Sequence, residues 1–500
     1  MREDDPYWVM IWRQFCKHPL GKAALAVVAV FCLVGIYAPF LAASQPFVVQ
    51  YEGEWYFPLF RYLFYQGYYT KRLDIFFNLL IFTFPATLLA MYIFYRQKRS
   101  LAIALGLIFF LQIASFIYFA YGALQDPAYS KGLTDERQEA LRSRPLPSWE
   151  FDLRYMTPYG RLNLVLYNQQ RERQHVRLQK FASNDGSAGL FKGLPTLWQE
   201  QRDNEQKEIA RLQENIAANS GSIEVKSRAE ASIQYIMDKR QWIESQQKLL
   251  HYEVMPLIRP FHWEDDAGGN QSLNQKVPFW ELTRINRKDL MAALIFGVRI
   301  SLVVGLLSVG LALAIGLPIG ALAGYYGGTF DIVVSRLLEI WEAMPTFFML
   351  LMVVAITQSK SIFLVIAIIG VFGWTSFSRY MRGEFFKQRN LPYTEACRAL
   401  GFSDSKIIFS HIFPNAIPPV LTLLPFAIMG AITSEAGLSF LGLGEEGSSS
   451  WGVLMDEGRS AFPGESYLLW PPAIVLTVLL VAIAMVGDSF RDALDPKMQR

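Results

Sequence analysis

The sequence predicts an all-α polytopic membrane protein that carries a large, mostly helical polar segment. Three observations predict it. Eight apolar runs, at about 21-43, 74-95, 101-121, 291-321, 331-357, 361-379, 417-437 and 470-489, come close to or exceed the roughly 20 residues that cross a bilayer as a helix. Hydrophobic residues make up 52% of the chain and charged residues 18%, less charge than the roughly 25% of an ordinary soluble domain. Between the third and fourth runs, residues 122-290 are polar but place apolar residues at helical spacing.

Residues 1-20 form a short N-terminal segment with basic Arg13 and Lys17, and 21-43 is the first span. A secretory signal is the competing reading, with Ala42-Ala43 as a cleavage region, but the run exceeds a signal core of about 7-15 residues, so a retained helix is expected. The loop 44-73 is rich in Tyr, Phe and Trp, which favour the membrane interface, and leaves a small strand pair open. Residues 74-121 form two full spans or a re-entrant hairpin; the basic turn at Arg96, Lys98 and Arg99 favours two spans. With the N-terminus inside, that turn is cytoplasmic, as are Arg379, Arg382, Lys387, Arg389, Arg398 and Lys406, and the insert 122-290 falls outside.

Within the insert, residues 196-216 and 227-250 read as two helices separated by the turn-like ANSGSIE, an antiparallel hairpin supported by 160-181 upstream. Solvated helices capping the membrane domain are the plainer reading; docking of a substrate-binding protein or contact with the cell envelope is the sharper one. The run 291-321 is long enough for its first turns to lie in the interface. Arg336, Glu339 and Glu342 precede Pro345, as at the near-cytoplasmic end of a kinked helix, with Arg336 and Glu339 spaced to pair. Glu435 lies nearest a mid-to-outer membrane position, a candidate for lining a polar pathway or for a helix-end role.

Several chemistries lack support. No GxxxxGK[ST] loop occurs, since Gly21-Lys22 is followed by Ala23, and no nucleophile elbow or HExxH stands out. His251 and His262 with Glu264, Asp265 and Asp266 lack ligand spacing, so no metal is expected. Cys16, Cys32 and Cys397 match no metal or redox motif, and on this topology none lies in the insert to brace it by a disulfide. The formal net charge of +3 is too small to argue for nucleic acid.

The most informative stretch is 393-416. Tyr393 to Leu400 can form a short helix whose Glu395, Ala396 and Ala399 keep one side small, and Gly401 is a helix stop. Ser403 or Asp404 can cap a second helix through Phe413, which Pro414 should end. On spacing alone, an ordinary helical hairpin fits equally well.

Glu395-Ala396-Cys397, Gly401 and Phe413-Pro414 resemble the signature loop of ABC importer permeases. RALG, HIFPN, GYYGG with Asp331, RYMRGE at Arg379 to Glu384, LSFLGLG at Leu438 to Gly444 with Trp451-Gly452, and GDSFRDALDPK from Gly487 resemble the dipeptide/oligopeptide/nickel branch in its C-type subunit. The likeness covers roughly 290-500, with weaker support from the first span. Cys397 stands where the pattern has Ala and Phe413 where it usually has Leu. The stretch that normally precedes the second family helix is not recognisable in INRKDLMAALIFGVR, although Gly297, Arg299, Ile300 and Ser301 fit the family pattern just after that stretch.

The resemblance implies a six-helix ABC importer permease core, to which the 74-121 pair and the 122-290 insert are additions. It implies a bacterial inner-membrane subunit of an ATP-driven importer for di- or oligopeptides. Its membrane domain would be 291-489 with coupling loop 380-416, and a cytoplasmic tail at 490-500 would close the chain. Implied partners are a second homologous permease, two cytoplasmic ABC ATPases that use the ATP, an extracytoplasmic substrate-binding protein and membrane lipid; the chain itself would bind no cofactor. Tyr393, Glu395, Ala396, Cys397, Ala399, Leu400, Gly401 and Pro414 are the implied ATPase-coupling residues. Nickel chelates, glycosides or antibacterial peptides as cargo, and a membrane scaffold or sensor using the insert, are the alternatives.

Overall fold

The computed structural model describes residues 7–43, 45–64, 72–122, 128–143, 146, 148–184, 197–218, 223–258, 290–357, 360–445, 448–460 and 469–494. The His262 to Asp266 cluster lies outside the described residues, as does the end of the 490-500 tail. The chain forms two compact units, one of Met1–Gly35 with Leu294–Arg500 and one of Ile36–Ala293.

The first unit begins with α1 (Tyr7–Phe15), whose Ile11 and Phe15 pack beside Ala493, and α2 (Pro19–Ile36). This span ends at Ile36 and not at 43, and the reason is Pro39. Proline has no N–H to give the carbonyl four residues back, here that of Gly35. The buried Arg299 takes that carbonyl instead, donating from Nε at 2.7 Å.

The second unit opens with α3 (Ala38–Leu41), then β1 (Val48–Tyr51) and β2 (Glu54–Tyr56). Glu52 and Gly53, both at positive φ, make the tight turn that suits a two-residue hairpin. After α4 (Pro58–Tyr62) come α5 (Arg72–Phe94) and α6 (Lys98–Tyr121), each long enough for a full crossing. Polar side chains glue this pair: Thr83 Oγ1 donates to Gln112 Oε1 at 2.8 Å, and Gln112 Nε2 donates to the Phe76 carbonyl at 2.9 Å.

The insert comprises α7 (Lys131–Ser143), α8 (Trp149–Arg154), α9 (Pro158–Asn184), α10 (Leu197–Ala218) and α11 (Ile223–Gln247), ending in β3 (Leu250–Val254). Helices stand over 160-181 and 197-216 and over most of 227-250, but the last ends at Gln247 and Leu250 opens β3 instead of continuing the helix. The open question of a strand pair resolves into a three-stranded antiparallel sheet of order β2-β1-β3, whose third strand comes from the far side of the insert. Val49 and Tyr51 of β1 bury against Leu162 and Leu166 of α9. The buried Asp152 carboxylate gathers three helices, accepting from Arg137 Nε at 2.8 Å, Arg137 Nη2 at 3.1 Å and the Tyr235 hydroxyl at 2.7 Å. Burial first, and then the bond to Asp152, push the Tyr235 phenol up from its ordinary value.

The first unit resumes at Leu294 within α12 (Leu290–Tyr326) and continues through α13 (Gly328–Ala343) and α14 (Thr346–Thr357). The kinked span expected at 331-357 is a broken one, turning by 76° around Pro345. Then come α15 (Ile362–Gln388), α16 (Pro392–Ala399), α17 (Asp404–Lys406), α18 (Phe413–Leu421), α19 (Leu424–Leu438), α20 (Trp451–Ser460) and α21 (Trp470–Leu494). Among the described residues seven helices and this bent pair are long and apolar enough to cross a membrane, in the order of the eight apolar runs.

Gly316, Gly320 and Gly324 sit one turn apart on α12 and let its backbone lie directly on α15. A Cβ at each would come within 2.5, 2.3 and 2.6 Å of the carbonyl oxygens of Trp374, Ser378 and Arg382.

Gly320→Leu should sharply reduce the monodisperse, heat-resistant fraction of detergent-solubilised protein, whereas Gly310→Leu, with nothing within 4 Å, should leave it unchanged. Asp152→Ala should cost about 2 kcal/mol through lost charge-assisted bonds, read as faster proteolysis of the 128–184 region in the full chain.

Candidate functional site

The loop that the sequence singles out begins where α15 ends. Pro392 opens α16 at a position where its missing N–H costs nothing, and the buried Thr394 turns back to donate from Oγ1 to the Gln388 carbonyl at 2.9 Å. Tyr393 ties the same residue, its hydroxyl donating to Gln388 Oε1 at 2.8 Å. The helix ends with two reversed bonds, Gly401 N–H to the Arg398 carbonyl at 2.9 Å and Phe402 N–H to the Cys397 carbonyl at 3.1 Å. This is a Schellman close, and it requires the left-handed φ of +74° that Gly401 adopts. Phe402 thereby folds onto the core cluster that buries Cys397.

The helix therefore has two faces. Thr394 and Cys397 point inward, while Glu395, Ala396, Arg398, Ala399 and Leu400 are exposed. Of the residues predicted to couple, Cys397 serves the core and Tyr393 is half-buried. Glu395, Ala396, Ala399 and Leu400 form the outer face, small in profile apart from Leu400, which is 72% exposed.

Pro414 does not end the second helix. The chain runs from α17 through a π-helical stretch, Ile407–Ile412, into α18, with Pro414 in its first turn. The π turn bonds five residues back, as Phe413 N–H does to the Ile408 carbonyl, and this wider turn lets the proline ring follow without breaking the helix. Ile407, Ile408 and Ile412 are buried in the same cluster as Cys397.

Motifs far apart in sequence hold this loop to the bundle. The Tyr325 hydroxyl of the GYYGG motif donates to Asp404 Oδ1 at 2.6 Å, and the Arg398 guanidinium lies over the Tyr325 ring at 5.5 Å. Arg389 Nη1 donates to the carbonyls of Gly324 and Tyr325, both at 3.2 Å, and packs against Gly327. Arg382 of the RYMRGE motif grips Asp331 with both arms, Nη2 to Oδ2 at 2.9 Å. Arg379 pairs with Glu342, and Arg336 with Glu339 as their spacing predicts. Sequence reasoning missed Thr394 and Tyr325, whose roles depend on partners no local pattern reveals. Mechanically, the arrangement offers a short rod with a small exposed face, fastened to α12 and α15, with α13 fastened in turn to α15.

Glu435 lies elsewhere. A cavity of about 410 Å³ between α12, α14, α15 and α19 is lined by Ser308, Gly373, Ser376, Tyr380, Gly430 and Ser434 among others. Glu435, one residue on, does not line it; it is 3% exposed and accepts from Ser439 Oγ at 2.7 Å and Ser450 Oγ at 2.6 Å. Among the described residues no group of three or more His, Cys, Asp or Glu could hold a metal ion.

Residues 316–500 match the family model described as binding-protein-dependent transport system inner membrane component, and residues 6–58 match the N-terminal TM domain of oligopeptide transport permease C. The chain is 36% identical over 219 residues to the peptidoglycan transport system permease protein YejE of Agrobacterium fabrum, covering 44% of this chain and 57% of that protein. It is 37% identical over 218 residues to the inner membrane ABC transporter permease protein YejE of Escherichia coli, covering 43% and 63%. It is 34% identical over 252 residues to the oligopeptide transport system permease protein OppC of Haemophilus influenzae, covering 50% and 81%. The chain thus spans less than two thirds of the two YejE relatives and about four fifths of OppC.

Arg382→Ala should loosen α13 on α15 by about 1–3 kcal/mol, since one partner of a part-buried, two-armed pair is left alone. Thermal unfolding in detergent should register the loss, and the exchange Arg382→Asp with Asp331→Arg should recover part of it.

Proposed function

Because this chain belongs to the family of binding-protein-dependent transport system inner membrane components, we propose that it is one transmembrane subunit of an ATP-driven importer for di- or oligopeptides. The observation that carries the reading is the exposed face of α16, a helix tied to the end of α15 through the bonds of Tyr393 and Thr394 to Gln388 and to α12 through Arg398 over the Tyr325 ring. A separate ATPase closing on ATP would push on Glu395, Ala396, Ala399 and Leu400, and the anchors would pass the motion to α12 and α15. Gly401 sets the angle between α16 and the next helix. Cys397 and Pro414 contribute from within, one by packing and the other by shaping the second helix of the loop.

The basic residues around α15 and α16 support a cytoplasmic position for this loop at a bacterial inner membrane by the positive-inside rule, and with it an insert on the outside. Four further subunits complete the assembly: a second, homologous permease, two ATPases that use the ATP, and an extracytoplasmic binding protein that delivers the peptide. Peptide cargo is supported by the oligopeptide and peptidoglycan transport that the relatives' names state.

Gly401→Val forces a β-branched residue into the left-handed region, costing about 1–2 kcal/mol at the hinge of the loop. Uptake should fall about tenfold while membrane insertion and binding of the second permease persist. Normal uptake by Gly401→Val, together with full ATPase recovery by an Ala399→Trp variant in a pull-down, would overturn the assignment.

A further inference from the structure

We propose that Glu435 is a latch: it holds the loop helix α20 onto the spanning helix α19, at the end of the permease opposite the coupling loop, and so positions that end for substrate entry. The transport consequence rests on the importer reading; the latch itself does not.

A carboxylate inside a spanning helix costs about 2.5–3.5 kcal/mol on the insertion scale unless its surroundings compensate. Two serines do so here. Ser439 lies one turn along from Glu435 and gives its proton from almost the same helix. Ser450 is different, because it lies beyond the π-helical turn Ser439–Leu443 and the left-handed Gly442, at the start of another helix. Its carbonyl accepts from Leu454 N–H at 3.0 Å and its Oγ from Gly452 N–H at 3.2 Å, so Ser450 is the N-cap of α20. With its acceptor side occupied by the helix, the hydroxyl has one proton left, and that proton goes to Glu435. The positive end of α20 therefore faces the carboxylate.

Close packing makes this contact specific. A Cβ at Gly452 would lie 2.5 Å from the Ala436 carbonyl oxygen and 2.6 Å from Ser439 Cβ, so α20 begins directly on the backbone of α19. On its other side, Trp451 is 1% exposed, donates from Nε1 to the Leu294 carbonyl at 3.0 Å and covers Gly297 of α12. Helix α20 thus bridges α19 and the first turns of α12. These are the two helices that the coupling loop reaches at its own end, α12 through Tyr325 and α19 through the chain leading out of α18. A push on the loop therefore reaches both supports of α20, and Glu435 is the polar grip that makes α20 follow α19.

Hydrogen exchange of residues 451–460 in the full chain reads the latch, and uptake reads its use. Glu435→Leu and Ser450→Ala should each speed exchange in α20 about tenfold, the loss of one buried hydrogen bond. Uptake should fall in both, with the ATPase still recovered in a pull-down. Glu435→Gln, which keeps an acceptor oxygen, should restore most of the protection, and Ser439→Ala should stay near the wild type. If Glu435→Leu does not accumulate, Ser450→Ala carries the test. Unchanged protection in Ser450→Ala, or equal loss in Ser439→Ala, would overturn the latch; lost protection with undiminished uptake would overturn its positioning role. Lost protection in a chain whose wild type supports no uptake would support the latch and count against the importer reading alone.

Discussion

The first unit depends on the backbone contact between α12 and α15. Inside a bilayer the hydrophobic effect does not drive helices together, so close packing and polar bonds must do it. Gly316, Gly320 and Gly324 remove the side chains that would keep the two backbones apart. Once they touch, Tyr325, Gly327 and Asp331 arrive beside Arg382 and Arg389, and the loop after α15 finds its anchors already in place. Each of those polar bonds is modest alone. Together they convert a short helix on a loop into a handle.

A second constraint is that backbone groups freed by proline must find other partners in lipid. The chain meets it in three ways. Pro39 ends α2 and its orphaned Gly35 carbonyl is taken by Arg299; Pro345 breaks a span into two helices; and the π turn before Pro414 widens the helix instead of ending it. The insert solves a different problem, holding polar helices together in water, and does so with the Asp152 hub and a sheet built from both sides of the insert.

The legibility of each feature in the sequence depends on how local its signal is. Spans are local, because bilayer thickness sets their length, and each apolar run holds a spanning helix or a bent pair, though the run at 417-437 is divided between the end of α18 and a span that starts at Leu424. The helix at 392–399 and its Gly401 stop are local too, since a Schellman close needs only a glycine and a following apolar residue. Pro414 misleads because a proline is a stop only when the turn before it is α-helical. The end of the first span misleads because apolarity continues past Pro39. Thr394, Tyr325 and Asp152 are illegible, since their meaning lies in residues far along the chain. The Gly316-Gly320-Gly324 spacing marks a close helix contact but not the helix it touches, so α15 emerges as its partner only in the fold. Glu435 stands out in the sequence as a charge in an apolar run, but its partner Ser450 lies beyond a turn whose geometry no periodicity predicts.

At the centre is the claim that the outer face of α16 is where an energy-supplying subunit takes hold. Hydrogen exchange on the purified assembly, with and without its ATPase, tests this most directly. Protection gained by the ATPase across residues 395–402, with none across 197–247 of the insert, is the predicted result. Protection that leaves 395–402 unchanged and appears elsewhere on the chain would contradict it.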